Sequence, residues 1–196
     1  MLSLQMDLIL ASTSPYRRRL MERLRLPFRC EAPDTDETPR PGEAPDALAH
    51  RLALAKATSV AASNPAALVI GSDQVASIEG NCIGKPGNHE AATAQLRASS
   101  GNRVDFYTGI AAVCHETGHR DSIVVPFSVE FRTLTDAEIE RYLRKEHPYD
   151  CAGSFKCEGL GIALFERMIG DDPTALEGLP LIALSRLLSA AGLAVI

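Results

Sequence analysis

Apolar positions along the chain follow two spacings: alternation or short continuous runs in some segments, and three- and four-residue repeats in others. The first spacing predicts strands and the second predicts helices. The predicted extended segments are residues 7–11, 28–32, 67–71, 75–82, 104–115, 122–132 and 159–166. The predicted helices are residues 15–24, 47–63, 90–99, 135–146 and 180–191. Because hairpins stand beside strand–helix–strand units, this order predicts an α/β fold with a mixed sheet and flanking helices.

Local signals at element boundaries support this order. Ser14 followed by Pro15 is typical of a helix start, with a hydroxyl N-cap and proline at the first helical position. Thr135 and Glu138 have the spacing of a capping box, which opens the predicted fourth helix. Residues 33–45 are rich in Pro, Asp and Glu, and they predict an exposed loop.

The size and composition of the chain fit one globular domain over residues 1–196. Hydrophobic residues make up 45% and charged residues 23%, as in ordinary proteins with a buried core. No apolar run is long enough to span a bilayer, so no membrane partner is expected. The stretch 1–7 is short and polar for a secretory signal, and we therefore expect a cytoplasmic protein.

Charge and cysteine content narrow the function classes further. The net charge of −5 argues against a general nucleic-acid binder, although five arginines lie within residues 17–25. A solvated helix face is the ordinary explanation of such a charge run. The five cysteines are an odd number without a Cys-x-x-Cys pair, so free buried thiols are expected.

Two predicted strand ends carry polar residues suited to anion or metal chemistry. Residues 10–18 join a strand to a helix N-terminus, where backbone N–H groups and hydroxyls favour phosphate. Asp73 follows the predicted strand 67–71 and is a candidate metal ligand or general base. Taken alone, each segment is explained as well by a capped helix or by an aspartate in a turn.

Lysines and a cluster of carboxylates add to this chemistry. Lys56 lies within an apolar helix, from which a lysine can also extend its ammonium group to solvent. Lys85 lies between Gly84 and Pro86, and residues 34–37 carry three carboxylates that suit a hard divalent cation. A solvated acidic loop is the alternative for the last segment. Walker A and Gly-x-Ser-x-Gly motifs are absent, which argues against a P-loop enzyme or a serine hydrolase.

Together these segments resemble the Maf family of nucleotide pyrophosphatases in order and spacing, over essentially the whole chain. The matching segments are Leu8–Pro15, Asp36–Glu37, Ala55–Ala57, Gly71–Gln74, Gly84–Pro86, Arg132–Thr135, Ala152–Phe155 and Gly178–Leu181. Gln74 and the run Ser154–Gly159 look closest to the bacterial subfamily that acts on 7-methyl-GTP.

The resemblance implies a twisted mixed sheet in two lobes around a central cleft, as in Maf and ITPase-like folds. It also implies a divalent metal cation (Mg²⁺, Mn²⁺ or Co²⁺), a small-molecule nucleotide substrate cut between its α and β phosphates, and a homodimer. Asp73 would be the proton acceptor and a metal ligand, together with Glu37. Residues that would bind the triphosphate are Ser12, Arg17, Lys56 and Lys85, and those that would set base preference are Tyr16, Gln74 and Glu158. Tyr16 stands where Trp is expected, and it offers a smaller aromatic face.

Two other functions compete with this interpretation. One is a Maf enzyme for dTTP or UTP, for which Arg in place of Tyr16, Thr in place of Gln74 and Gln in place of Glu158 are expected. The other is a nucleotide-binding regulator of cell division without turnover, which the presence of Asp73 and Lys56 argues against.

Overall fold

The structure is a computed structural model that describes residues 6–196. Residues 1–5, on which much of the expectation about a signal sequence rests, lie outside this range. The strands are β1 (Leu8–Ala11), β2 (Arg29–Glu31), β3 (Leu68–Ile78), β4 (Asn81–Ile83), β5 (Arg103–Cys114), β6 (His119–Phe131) and β7 (Phe165–Ile169). The helices are α1 (Pro15–Glu22), α2 (Pro45–Ser63), α3 (His89–Ser99), α4 (Asp136–Glu146) and α5 (Leu181–Ala190).

Within residues 6–196, seven strands form one mixed sheet. Its order is β2-β1-β3-β5-β6-β7, with β4 paired to β3 at the side. β1 is parallel to β2 and β3, whereas the pairs β3–β4, β3–β5, β5–β6 and β6–β7 are antiparallel. The predicted α/β class with a mixed sheet is therefore confirmed.

The long strands β3 and β5 run through two hydrophobic cores. In the first core, Ile70 and Ile110 pack with apolar residues of α1 and α5. In the second, Ala76 and Phe106 pack with α3 and α4. The two cores define two lobes, one that contains α1 and α5 and one that contains α3 and α4. Both lobes share β3 and β5, and the polar residues in the middle of β3 lie where the lobes meet.

The length of β3 differs from the sequence prediction. The prediction that the buried strand is 67–71, with Asp73 at the strand end before a turn, is wrong. β3 stays paired with β5 past that point, with Asp73 opposite Gly109 and Ser77 opposite Asp105. A partner strand satisfies the backbone here whatever the local propensity of the polar residues.

Two glycines let α2 approach the sheet closely. A Cβ on Gly71 would overlap the carbonyl oxygen of Ala53, and one on Gly109 would overlap the carbonyl oxygen of Ala49. Only glycine therefore fits at these two positions. The close approach brings the middle of α2, with Lys56, directly onto β3.

The prediction of an extended segment at 159–166 is mostly wrong. Residues Leu160–Leu164 form a 3₁₀-helix, and β7 begins only at Phe165. The Gly161 N–H donates to the Lys156 carbonyl at 3.0 Å, which closes the chain into a turn. Apolar content alone does not distinguish such a turn from a strand.

The structure tests two expectations from the sequence, one about the burial of the cysteines and one about membrane-spanning helices. All five cysteines are free, but only Cys114 is buried, whereas Cys30 and Cys82 are exposed. The expectation that all the thiols are buried is therefore wrong. Across residues 6–196, none of the helices has the length and apolar character required to cross a bilayer.

Candidate active site

A cleft of about 880 Å³ lies between the two lobes. It is lined by the end of β1, the start of α1, the middle of β3, and the segments 82–85, 150–158 and 176–178. Every site residue predicted from the sequence lines it: Ser12, Tyr16, Arg17, Glu37, Lys56, Asp73, Gln74, Lys85 and Glu158. The structure thus brings the predicted residues together, although their individual roles stay predictions.

Lys56 is at the centre of the cleft's charged groups. Its Nζ lies 2.6 Å from Asp73 Oδ1 and 2.6 Å from Glu37 Oε1. The Lys56 side chain is only 7% exposed, so it does not extend its ammonium group to open solvent. A buried ammonium needs such partners, because an unpaired charge is costly to desolvate.

The electrostatics of the cleft reflect this clustering. Partial burial raises the pKa of Glu37, but the hydrogen bond and charge of Lys56, with Lys85 and Arg17, outweigh it and lower the pKa overall. Burial lowers the pKa of Arg17, whereas the charges of Asp73 and Glu37 oppose that change. Arginine remains protonated under any ordinary condition, so Arg17 is a fixed positive charge in the cleft.

The turn between β1 and α1 forms one wall. The Ser14 N–H donates to Ser12 Oγ at 3.1 Å, and Ser14 Oγ accepts from the Arg17 N–H at 3.4 Å. The predicted N-cap is therefore confirmed. It orients the first turn of α1 so that Tyr16 and Arg17 both reach the cleft.

Lys85 is held through its loop and not through its side chain. The carbonyl of Gly84 accepts from Gln95 Nε2 at 3.0 Å, and the Gly87 N–H donates to the Tyr149 carbonyl at 2.9 Å. Lys85 itself is exposed, and no salt bridge involves it among residues 6–196. Its ammonium group is thus available to an anionic ligand.

The opposite part of the cleft is aromatic and acidic. The Tyr16 hydroxyl donates to Asp150 Oδ2 at 3.4 Å and lies 3.9 Å from Cys151 Sγ. Burial, with the charges around Cys151, Asp150 and Glu158, raises the pKa of Tyr16, so its hydroxyl stays protonated. Glu158 is exposed to the cleft.

The side-chain amide nitrogen of Gln74 makes hydrogen bonds to backbone carbonyls of the protein. Nε2 donates to the carbonyls of Ala175 at 2.7 Å and Leu176 at 3.1 Å, and it lies 3.1 Å from Thr108 Oγ1. Because two of these partners are carbonyls, the orientation of the amide is determined. Its Nε2 therefore holds the segment at 175–176 and is already committed within the protein.

Sequence reasoning missed the residues that hold the segment 172–182 against the cleft. Ser72 Oγ, fully buried, lies 2.9 Å from the Gly109 carbonyl oxygen and 3.0 Å from the Gly178 carbonyl oxygen, which share its one hydroxyl hydrogen. The same Gly178 carbonyl accepts from Arg17 Nε at 2.9 Å. Asp172 Oδ2 accepts from the Ile182 N–H at the start of α5. The only local signal was Asp-Pro-Thr at 172–174, a turn pattern that does not reveal its long-range partners.

Two carboxylates of the cleft converge on one position, because Glu37 and Asp73 contact the same ammonium group. In the part of the chain that the structure describes, no cluster of three or more His, Cys, Asp or Glu side chains is arranged to hold a metal. Mg²⁺ often uses one or two protein carboxylates together with substrate phosphates. The pair therefore fits a divalent cation that binds together with a phosphorylated ligand.

The arrangement suits chemistry on a phosphate chain. Arg17, Lys56 and Lys85 supply positive charge, and Asp73 supplies a carboxylate that can accept a proton. A volume of about 880 Å³ accommodates a nucleotide-sized ligand, since ligand pockets are commonly a few hundred to a thousand Å³.

Comparison with known proteins finds relatives that share more than half of their aligned residues with this chain. A protein from Polaromonas sp. named 7-methyl-GTP pyrophosphatase is 59% identical over 95% of this chain and 85% of its own. Proteins of the same name from Albidiferax ferrireducens and Nitrosococcus oceani are each 56% identical, over 98% and 94% of this chain and 97% and 93% of theirs.

Among solved structures, the Staphylococcus aureus Ham1 protein aligns with a TM-score of 0.47 and 16% identity, over 64% of this chain and 71% of that chain. That likeness is too low to support a conclusion. The family model described as Maf-like protein matches residues 7–191. Because this match spans nearly the whole chain, the protein belongs to the Maf-like family.

Proposed function

We propose that this protein is a nucleoside triphosphate pyrophosphatase that hydrolyses 7-methyl-GTP to 7-methyl-GMP and pyrophosphate. The observation that carries the proposal is the buried Lys56, which joins Asp73 and Glu37 in a cleft that also holds Arg17 and Lys85. The names of the relatives, all 7-methyl-GTP pyrophosphatases, support the substrate.

The cationic part of the cleft would bind the triphosphate. An ammonium group has three donors, and Lys56 spends two on carboxylates, which leaves one for a phosphate oxygen. Lys85 has an exposed ammonium group, and Arg17 is held in place by its bond to the Gly178 carbonyl. Ser12 and the N-terminus of α1 add a hydroxyl and a positive dipole end.

A divalent cation would bind at Glu37 and Asp73. When bound there, it would neutralise charge on the phosphates, which is its usual contribution to phosphoryl chemistry. The lowered pKa of Glu37 suits this role, since the side chain stays ionised and able to ligate. The product screen described below compares Mg²⁺, Mn²⁺ and Co²⁺.

The reaction requires Asp73 as a base. Asp73 accepts a proton from a water molecule while the water oxygen bonds to the α-phosphorus. The bond between the α-phosphorus and the α–β bridging oxygen breaks. The departing oxygen leaves with pyrophosphate, and the cations of the cleft stabilise the charge that develops on it.

The aromatic and acidic part of the cleft would bind the base. N7-methylation gives guanine a positive charge, and Tyr16 can stack on this ring with a cation–π gain of about 0.5–2 kcal/mol. Glu158 can accept hydrogen bonds from the guanine N1–H and amino group. Gln74 would act on the base by holding the 175–176 segment, with Oε1 as its free polar atom.

A product screen tests the reaction. The purified protein is incubated with standard and N7-methylated nucleoside triphosphates, with and without Mg²⁺, Mn²⁺ or Co²⁺. We expect pyrophosphate and monophosphate as primary products, in a metal-dependent manner. Orthophosphate and diphosphate as primary products would contradict the proposal.

The same screen tests the base preference. We expect a higher kcat/KM for 7-methyl-GTP than for GTP, UTP or dTTP. Tyr16→Ala and Glu158→Gln should each reduce that preference more than they reduce the rate on GTP. Equal kcat/KM on GTP and 7-methyl-GTP in the unmutated protein would remove the substrate assignment and leave the general pyrophosphatase activity.

A further inference from the structure

Glu177 lines the cleft and has no role in the function described above. It lies in the segment between the 3₁₀-helix Pro173–Ala175 and α5, and it is half-buried. Among residues 6–196, no hydrogen bond or salt bridge involves its side chain. The carboxylate of Glu177 is therefore free to contact a ligand in the cleft.

The backbone on both sides of Glu177 is fixed by residues of the cleft. The preceding carbonyl, of Leu176, accepts from Gln74 Nε2 at 3.1 Å. The following carbonyl, of Gly178, accepts from Ser72 Oγ at 3.0 Å and from Arg17 Nε at 2.9 Å. Side chains of β3 and α1 therefore hold the backbone on both sides of Glu177 in place. A specific contact with a ligand requires such support.

The charges around Glu177 identify the kind of ligand. Partial burial is the main cause that raises the pKa of Glu177, and the negative charge of Glu158 adds to it, while Arg23 opposes both. Burial is the main cause that raises the pKa of Cys157, and the negative charges of Glu158 and Glu177 add to it, so both carboxylates lie near that thiol. With Asp150 beside Tyr16, this part of the cleft carries three carboxylates and an aromatic ring.

We propose that Glu177 is a second specificity-determining residue, which with Glu158 favours a positively charged nucleobase over a neutral one. This inference rests on the proposed function. Glu158 alone can recognise the hydrogen-bonding edge that GTP and 7-methyl-GTP share. A further carboxylate without a hydrogen-bonding partner distinguishes them by charge, because a net positive charge is attracted over a distance at which a neutral ring gains little.

The test compares Glu177→Gln and Glu177→Asp with the unmutated protein. Glu166→Gln is the matched control, because Glu166 is an exposed glutamate of β7 outside the cleft. For each protein, kcat/KM is measured on 7-methyl-GTP and GTP, and inhibition constants are measured for 7-methyl-GMP and GMP. Thermal unfolding confirms that each variant is folded.

We expect Glu177→Gln to reduce the preference for 7-methyl-GTP over GTP by about three- to tenfold, as one partly solvated charge pair allows. The loss should appear in KM and in the inhibition constant of 7-methyl-GMP, with kcat and the GTP values nearly unchanged. Glu177→Asp should retain most of the preference, and Glu166→Gln all of it.

Other outcomes are distinguishable. If the unmutated protein does not prefer 7-methyl-GTP, the proposed substrate is wrong and the role of Glu177 fails with it. If the unmutated protein prefers 7-methyl-GTP and Glu177→Gln keeps that preference, only the role of Glu177 is overturned. An equal loss on both substrates would show a structural effect, and it would also overturn the inference.

Discussion

Asp73→Asn is the substitution that tests the mechanism most directly. The change keeps the size of the side chain and an oxygen that can accept from Lys56, but it removes the negative charge and the proton acceptor. Loss of a general base lowers the rate by about two to four orders of magnitude. That corresponds to about 3–5 kcal/mol in the activation free energy.

The structure indicates a smaller cost in stability. The Asp73 side chain is 11% exposed, and its Oδ1 accepts from Lys56 Nζ at 2.6 Å. In the variant, Lys56 keeps its 2.6 Å contact with Glu37 and can donate to the amide oxygen. We expect a loss of about 1–2 kcal/mol in the free energy of unfolding. That lowers Tm by about 2–8 °C in a chain of this size.

The effect of Asp73→Asn on the rate and its effect on stability can therefore be measured separately, with activity assayed at about 25 °C, where the variant is expected to be folded. Pyrophosphate release gives kcat and KM, thermal unfolding gives Tm, and calorimetry with a non-hydrolysable α,β-methylene triphosphate gives Kd. We expect a large fall in kcat with nucleotide binding retained. Asp105→Asn is the matched control, because Asp105 is also ion-paired in the sheet, to Arg103, but lies outside the cleft.

One result would refute this reasoning. If Asp73→Asn is folded and its kcat stays within about threefold of the unmutated value, the barrier has changed by less than about 1 kcal/mol. Asp73 would then not be the base. A loss of activity that only follows a collapse of Tm would assign Asp73 to folding.

Two further predictions concern packing and thiol chemistry. Gly71→Ala places a methyl group against the Ala53 carbonyl, so we expect urea unfolding to show a loss of about 1–3 kcal/mol. Gly84→Ala, with no atom within 4 Å of the added Cβ, should change stability by less than about 0.5 kcal/mol, and equal losses would contradict the packing argument. Burial is the main cause that raises the pKa of Cys151 to about 12, with the charge of Asp150 adding to it. Since the thiolate is the reactive form and is scarce at about pH 8, iodoacetamide should label the exposed Cys82 well before Cys151 by mass spectrometry, and equal rates would refute this assignment.

The starts of α1 and α4 were predictable because their signals are local. The capping box of α4 is complete within four residues, since Thr135 Oγ1 accepts from the Glu138 N–H and Glu138 Oε2 accepts from the Thr135 N–H. The start of α1 depends only on Ser14 and Pro15. Such contacts form between residues that are already neighbours in the chain, so the residue types alone identify them.

The residues of the cleft were also predictable as a set, through the order and spacing of their motifs. Their arrangement was not. Asp73 looked like a residue after a strand end, because three polar residues in a row interrupt an apolar pattern. In the structure all three lie within β3, where the two lobes meet. Asp73 and Gln74 line the cleft, and Ser72 is buried against backbone carbonyls.

Long-range pairing decided what the sequence left open. The position of Asp73 depends on β5, whose Gly109 lies opposite it in the sheet. The burial of Lys56 depends on the close approach of α2 at Gly71, and the rigidity around Glu177 depends on donors from β3 and α1. Local sequence patterns report which residues prefer burial or a turn. Which distant groups satisfy each buried charge and carbonyl is determined only when the chain has folded and brought them together.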